Sequence, residues 1–119
     1  MSYIDGFVIP VPTAGKQAFI EQANLFDREL KRFGALRVME CWGDEVPDGK
    51  LTDFRRAVQA TPEETVVFSW IEWPDKATRD AGMAQMEALV HNDPRFKDQT
   101  MTFDGKRLIF GGFTPVVEL

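Results

Sequence analysis

The 119-residue chain predicts an α+β domain of the split β-α-β kind: a four-stranded antiparallel sheet with two helices on one face. β-rich runs and long helical periodicities follow each other in the order β-α-β-β-α-β, with a turn or short helix between the second and third strands. The run 64–74 is mainly apolar on both faces, with Val66, Phe68, Trp70 and Glu72 on one and Val67, Ser69, Ile71 and Trp73 on the other. A strand with one wet face alternates apolar with polar residues, so this one calls for cover on both sides. The length suits one domain, spanning 1–119, since domains commonly hold about 100–150 residues.

Tyr3–Val11 reads as the first strand, interrupted by Asp5 and Gly6. Pro10 places its end at an edge or near a loop, because proline donates no ladder hydrogen bond. Pro12-Thr13 opens the first long helix, with Thr13 as its N-cap. Phe19, Ala23, Phe26, Leu30 and Phe33 then recur at helical spacing and form a stripe suited to a sheet. Glu21, Asp27, Arg28, Lys31 and Arg32 fall on the remaining side, which reads as solvated. Gly34 stands at the left-handed capping position.

The second strand, Ala35–Trp42, puts Leu36, Val38, Glu40 and Trp42 on one face and Arg37, Met39 and Cys41 on the other. Residues 43–51 form a loop with turn chemistry at Pro47-Asp48-Gly49. Thr52–Ala60 reads either as a short helix capped by Thr52, with Phe54 and Val58 inward, or as an extension of the third strand. Thr61–Glu64 has the form of a capping box, yet the β-branched run behind it limits it to one turn.

Asp75 caps the second long helix, which Asn92 and Pro94 stop. Its stripe of Ala77, Ala81, Ala84 and Ala88 suggests close packing on the sheet. Residues 94–99 read as irregular, and Asp104-Gly105 predicts a type I′ hairpin. The last strand, 106–117, sets Leu108 and Phe110 against Ile109 and Phe113, with Gly111-Gly112 marking a bulge or a close backbone approach.

Both helices on one face leave the other face open, with a larger apolar patch than monomers usually show. A homodimer stacked sheet to sheet is the expected remedy.

Fourteen basic against nineteen acidic residues give a net charge of −5, which disfavours nucleic acid as a partner. Cys41 is the single cysteine, so no disulfide framework is expected within the chain. The start lacks a signal-peptide pattern and no apolar run nears the ~20 residues of a membrane span, so the expected location is cytoplasmic and membrane-free. No glycine-rich nucleotide motif is present and no cofactor is expected.

Cys41 is the one possible thiol nucleophile and shares a face with Arg37, although free cysteines usually serve as small hydrophobes. Glu40 and Glu72, on neighbouring strands beside tryptophans, could divide acid and base roles if one face gathers them. Each could equally pair with Arg37, Arg55 or Arg56. Glu40, Trp42, Arg56, Trp70 and Glu72 together make the candidate ligand site, an aromatic wall with a few polar groups. Asp44, Glu45, Asp48 and Asp53 lack calcium-loop spacing, and the lone His91 suits a helix C-terminus, so no metal is expected.

The segments MSYIDGFVIPVP, GALRVMECWGDEVPDGKLTDFRRAV, ETVVFSWIEWPDKATRDAG and FDGKRLIFGGF resemble an uncharacterised bacterial family of about this length. That family is a domain of unknown function in the dimeric α+β barrel group, whose fold is ferredoxin-like. The resemblance implies a ferredoxin-like dimer and carries no established catalytic residues. The expected function is binding of a small apolar or aromatic molecule between sheet and helices, with any conversion cofactor-free and using Glu40 or Glu72 as base. The alternative is a non-enzymatic dimeric regulatory or interaction module.

Overall fold

Residues 1–119 are described by a computed structural model. Strands β1 (Tyr3–Pro12), β2 (Arg37–Trp42), β3 (Glu64–Trp73) and β4 (Ile109–Phe113) form one antiparallel sheet in the order β2-β3-β1-β4. Helices α1 (Lys16–Arg32) and α3 (Lys76–Asn92) cover one face. Two single-turn helices, α2 (Phe54–Ala57) and α4 (Pro94–Lys97), complete the chain. This is the predicted split β-α-β arrangement. No helix is long and apolar enough to cross a membrane.

β1 is an inner strand whose end at Pro10 is a local edge, as the proline predicts. β4 pairs with β1 only from Ile4 to Val8, so Pro10 lies where β1 has no neighbour on that side. Thr13 N–H donates to Glu63 O at 2.9 Å, and alternation along the ladder turns Pro10 towards that vacant edge.

β3 divides its faces as the sequence predicts. Val67, Ser69, Ile71 and Trp73 point to the helices and are buried, Trp73 completely. On the other face, Val66 and Pro10 are buried together with Val58 of the segment beyond α2. Further along, Phe68 is 46% exposed, with Phe54 of α2 against its edge at 5.9 Å. The 43–60 segment thus covers one end of the open face and leaves the other bare.

Several local expectations are corrected. Thr13 does not cap α1; it lies in a 3-10 turn, and its hydroxyl bonds that of Thr65 at 2.7 Å across the strands. Asp53, rather than Thr52, caps α2, accepting from Arg56 N–H at 2.7 Å. The alanines of α3 face solvent, and Gly82 and Met86 pack inward instead. Residues 94–97 form a turn of helix that buries Phe96. Asp104–Arg107 is a turn without a hairpin: its Gly105 has no positive φ, and no strand precedes it. β4 is shorter than predicted, and its register runs through Gly111-Gly112 without a bulge. The close approach is real, because the Tyr3 ring lies over Gly112.

Gly34, at φ +117°, ends α1 as expected. Gly34 N–H bonds Lys31 O and Ala35 N–H bonds Leu30 O, which is the Schellman pattern. Asp75 caps α3 by accepting from Thr78 N–H at 2.7 Å.

The core has two buried clusters. One gathers Leu30, Ala35, Ile71, Trp73, Met86 and Phe96; the other gathers Ile9, Val11, Phe19 and Val67. Two polar anchors bound them. Buried Asp5 accepts from Trp73 Nε1 at 2.9 Å and from Arg79 Nη2 at 2.9 Å. Glu64 takes both Nη atoms of Arg107, at 2.7 and 2.6 Å.

Candidate functional site

A cavity of about 230 Å³ lies between α1 and the sheet, bordered by residues of both core clusters. Phe7 and Ile9 of β1 and Ile71 of β3 make its floor, and Phe19, Phe26 and Leu30 of α1 make its roof. Met101, Phe103 and Leu108, from the segment between α4 and β4, close one end.

That closing segment is tied to α1 by buried Gln22. Its amide nitrogen donates to Thr100 O at 2.9 Å, and its amide oxygen accepts from Thr102 N–H and Oγ1 at 3.1 and 2.9 Å. One glutamine therefore pairs backbone groups of an irregular, partly exposed segment that has no ladder of its own.

The cavity's ionisable groups are Asp27 of α1 and Glu40 of β2. They also line a second, outer groove, together with Lys16 and Trp42. The two acids therefore stand at the boundary between cavity and groove. Burial pushes the Asp27 carboxyl far above the ordinary carboxylate range, and a hydrogen bond to Glu40 and that group's negative charge push it further. The protonated form of the Asp27 carboxyl is thereby favoured, with its hydrogen directed at Glu40. Lys16 Nζ sits 5.3 Å over the Trp42 ring, and neither acid takes part in an ion pair.

The five residues of the predicted cluster do not meet. Glu40 and Trp42 face the helices, since they stand opposite Ser69 and Val67 of β3. Trp70 and Glu72 lie on the open face, joined to each other by Trp70 Nε1 donating to Glu72 at 2.9 Å. The register therefore separates Glu40 from Glu72 by the thickness of the sheet. Arg56 belongs to neither face: it binds Asp53 at 2.8 Å and the carbonyls of Gly49 and Leu51. Backbone N–H groups of Arg56 and Gly49, followed by the Arg56 guanidinium, hold the Asp53 carboxyl down at about 2. Cys41 is on the open face opposite Phe68.

Asp27, read from the sequence as solvated, is the missed member of the site. Its signal was present, because it follows Ala23 by four residues and precedes Leu30 by three, on the apolar stripe itself. Gln22 carried no such signal, since the strap it binds has no regular pattern.

The open sheet face carries a shallow depression of about 670 Å³ floored by Val8, Phe68, Trp70, Ile109 and Phe113. Phe113 is 58% exposed and Ile109 45%.

A family model described as "Protein of unknown function (DUF1428)" matches residues 2–105. The uncharacterised protein YbaA of Escherichia coli K12 is 51% identical over 120 residues, covering 99% of this chain and 99% of that protein, and the Shigella flexneri protein of the same name matches equally. A solved structure of a dimeric ferredoxin-like protein from an uncultured marine organism has a TM-score of 0.63 at 15% identity, covering 99% of this chain and 98% of that one. A point mutant of MhuD, solved with two manganese protoporphyrin IX molecules per active site, also reaches 0.63 at 12% identity, covering 98% of this chain and 97% of that one. These likenesses show the fold, which is ferredoxin-like.

Proposed function

The chain belongs to the DUF1428 family, and we propose that it binds a small apolar molecule, the size of one substituted ring, in the cavity between α1 and the sheet. The observation that carries this reading is an aromatic cavity of about 230 Å³ with a single acidic pair at its mouth. A cavity of about 150 Å³ accepts benzene, so this one has room for a ring with a few substituents. The chemistry available here without a cofactor is proton transfer, with Glu40 accepting a proton from a bound molecule and Asp27 donating one.

A porphyrin, as bound by MhuD, does not fit this site. A tetrapyrrole far exceeds a single ring, its acidic side chains would meet Asp27 and Glu40, and His91 lies at the exposed end of α3.

The assembly we propose is a homodimer with open faces together. The apolar surface at Phe68, Ile109 and Phe113 supports it, as does the likeness to a dimeric ferredoxin-like protein.

Native mass spectrometry of gently purified protein tests both parts. The expected result is a dimer with a reproducible small adduct that disappears in Ala23→Phe, which fills the cavity, while the dimer remains. An adduct retained in Ala23→Phe overturns the cavity assignment. So does an adduct-free dimer whose cavity methyl signals are unmoved by toluene in NMR; it favours the non-enzymatic module. A monomer overturns the assembly.

A further inference from the structure

We propose that the molecule held by the cavity is a protonated amine, with its apolar body among the phenylalanine rings and its ammonium group at the mouth between Asp27 and Glu40. This rests on the reading of the cavity as a binding site and names the class of ligand it takes.

The cavity's ionisable groups are both acids, and no lysine, arginine or histidine lines it. Glu40 is exposed at the mouth, whereas half-buried Asp27 lies against the apolar lining, where a charge is normally paired with a cation. Here that partner is missing from the chain itself, since neither carboxylate enters an ion pair. Lys16, the cation that shares the outer groove, is placed over the Trp42 ring.

The proton balance then separates ligand classes. Without ligand, the pair keeps one proton and carries one negative charge. When an ammonium group enters, Asp27 gives that proton to solvent through the groove. Two carboxylates and one cation again sum to one negative charge. An anion would raise the negative charge at the mouth, and a neutral guest would leave the acids without a cation. The amine alone replaces the proton at constant charge.

Geometry agrees. Asp27 and Glu40 border both cavity and groove, so a head group between them stays in reach of water while the body is desolvated. Phe7, Phe19, Phe26 and Phe103 supply rings whose negative faces attract a cation as well as an apolar body.

The test uses benzylamine, benzyl alcohol and benzoate, which share one shape and differ in charge, with toluene as a control for cavity occupancy. Calorimetric titrations at pH 7 are run in two buffers of different ionisation enthalpy. The expected result is benzylamine binding at least tenfold tighter than benzyl alcohol, no benzoate binding, and about one proton released per benzylamine. In Asp27→Asn the release disappears while the circular dichroism spectrum is kept, and Glu40→Gln weakens benzylamine at least tenfold. If benzyl alcohol binds as tightly as benzylamine, or no proton is released, the amine assignment falls while the cavity reading stands. If toluene also fails to bind, the cavity reading falls with it.

Discussion

A carboxylic acid facing phenylalanine rings with no cation beside it keeps its proton, and Asp27 is in that position. Its folded pKa lies above its unfolded one, so the folded state binds more protons from about pH 4 upward. Stability linked to this group is therefore complete below about pH 4 and is lost as pH rises towards the folded value. Asp27→Asn, which keeps the donor and removes the titration, should melt above the parent at pH 8, with the gap closing towards pH 4. Thermal scans across that range check this, and a gap that widens on acidification would refute it. Glu64 has the opposite sign. Hydrogen bonds from Arg107, and then from the Thr61 backbone, lower its carboxyl to about 2. Its stabilisation is present above about pH 4.5 and is lost as pH falls towards 2. Arg107→Met should cost about 1.5–3 kcal/mol at pH 7, because it strips a mostly buried carboxylate of its charged donor. The same variant should unfold along a flatter acid limb in denaturant titrations between pH 5 and 2.

Among the elements, α3 is placed by one contact. A Cβ on Gly82 would stand 2.6 Å from Trp73 Cζ3 and 2.9 Å from Phe33 O, so only glycine lets this helix seat on β3 and on the end of α1. Gly82→Ala gains up to about 1 kcal/mol of helix propensity and meets overpacking of about 1–3 kcal/mol. The expected net is destabilisation, read as a lower denaturant midpoint, and an unchanged or raised midpoint would show that the helix can shift without cost. The strap at 99–103 depends on α1 in the same manner. Gln22→Leu preserves the apolar fit but leaves Thr100 O and Thr102 N–H unpaired. It should cost about 1–3 kcal/mol and speed hydrogen exchange at Thr102 before exchange rises elsewhere.

For the whole molecule, the decisive feature is that one sheet face is covered by helices and the other is bare beyond the 43–60 segment. Phe68 of inner strand β3 and Ile109 and Phe113 of edge strand β4 sit there with roughly half of their surface in water. The double variant Phe68→Glu, Phe113→Glu places charge at the centre of that face without touching the helix-side core. It should give a folded monomer in size-exclusion chromatography with light scattering, where the proposed assembly predicts a dimer for the parent. A variant that remains dimeric would place the interface elsewhere.

Much of this architecture was legible in the residues alone. The helical stripe of α1, the glycine that ends it, the aspartate that caps α3 and the two apolar faces of β3 are local patterns, and each reflects backbone geometry repeating within a few residues. Thr13 and Asp104-Gly105 carried equally good local signals that lost, because cross-strand pairing took the threonine hydroxyl and no partner strand formed for the turn. The site itself belonged to the tertiary structure. Glu40 and Glu72 looked alike from the sequence, yet the register of β2 on β3 sends their side chains to opposite faces, since each one-residue step along a strand reverses direction. That same register brings Glu40 to Asp27, thirteen positions earlier on a helix. No local period links a strand residue to a helix residue; only the packing of α1 across the sheet decides which carboxylate becomes its neighbour.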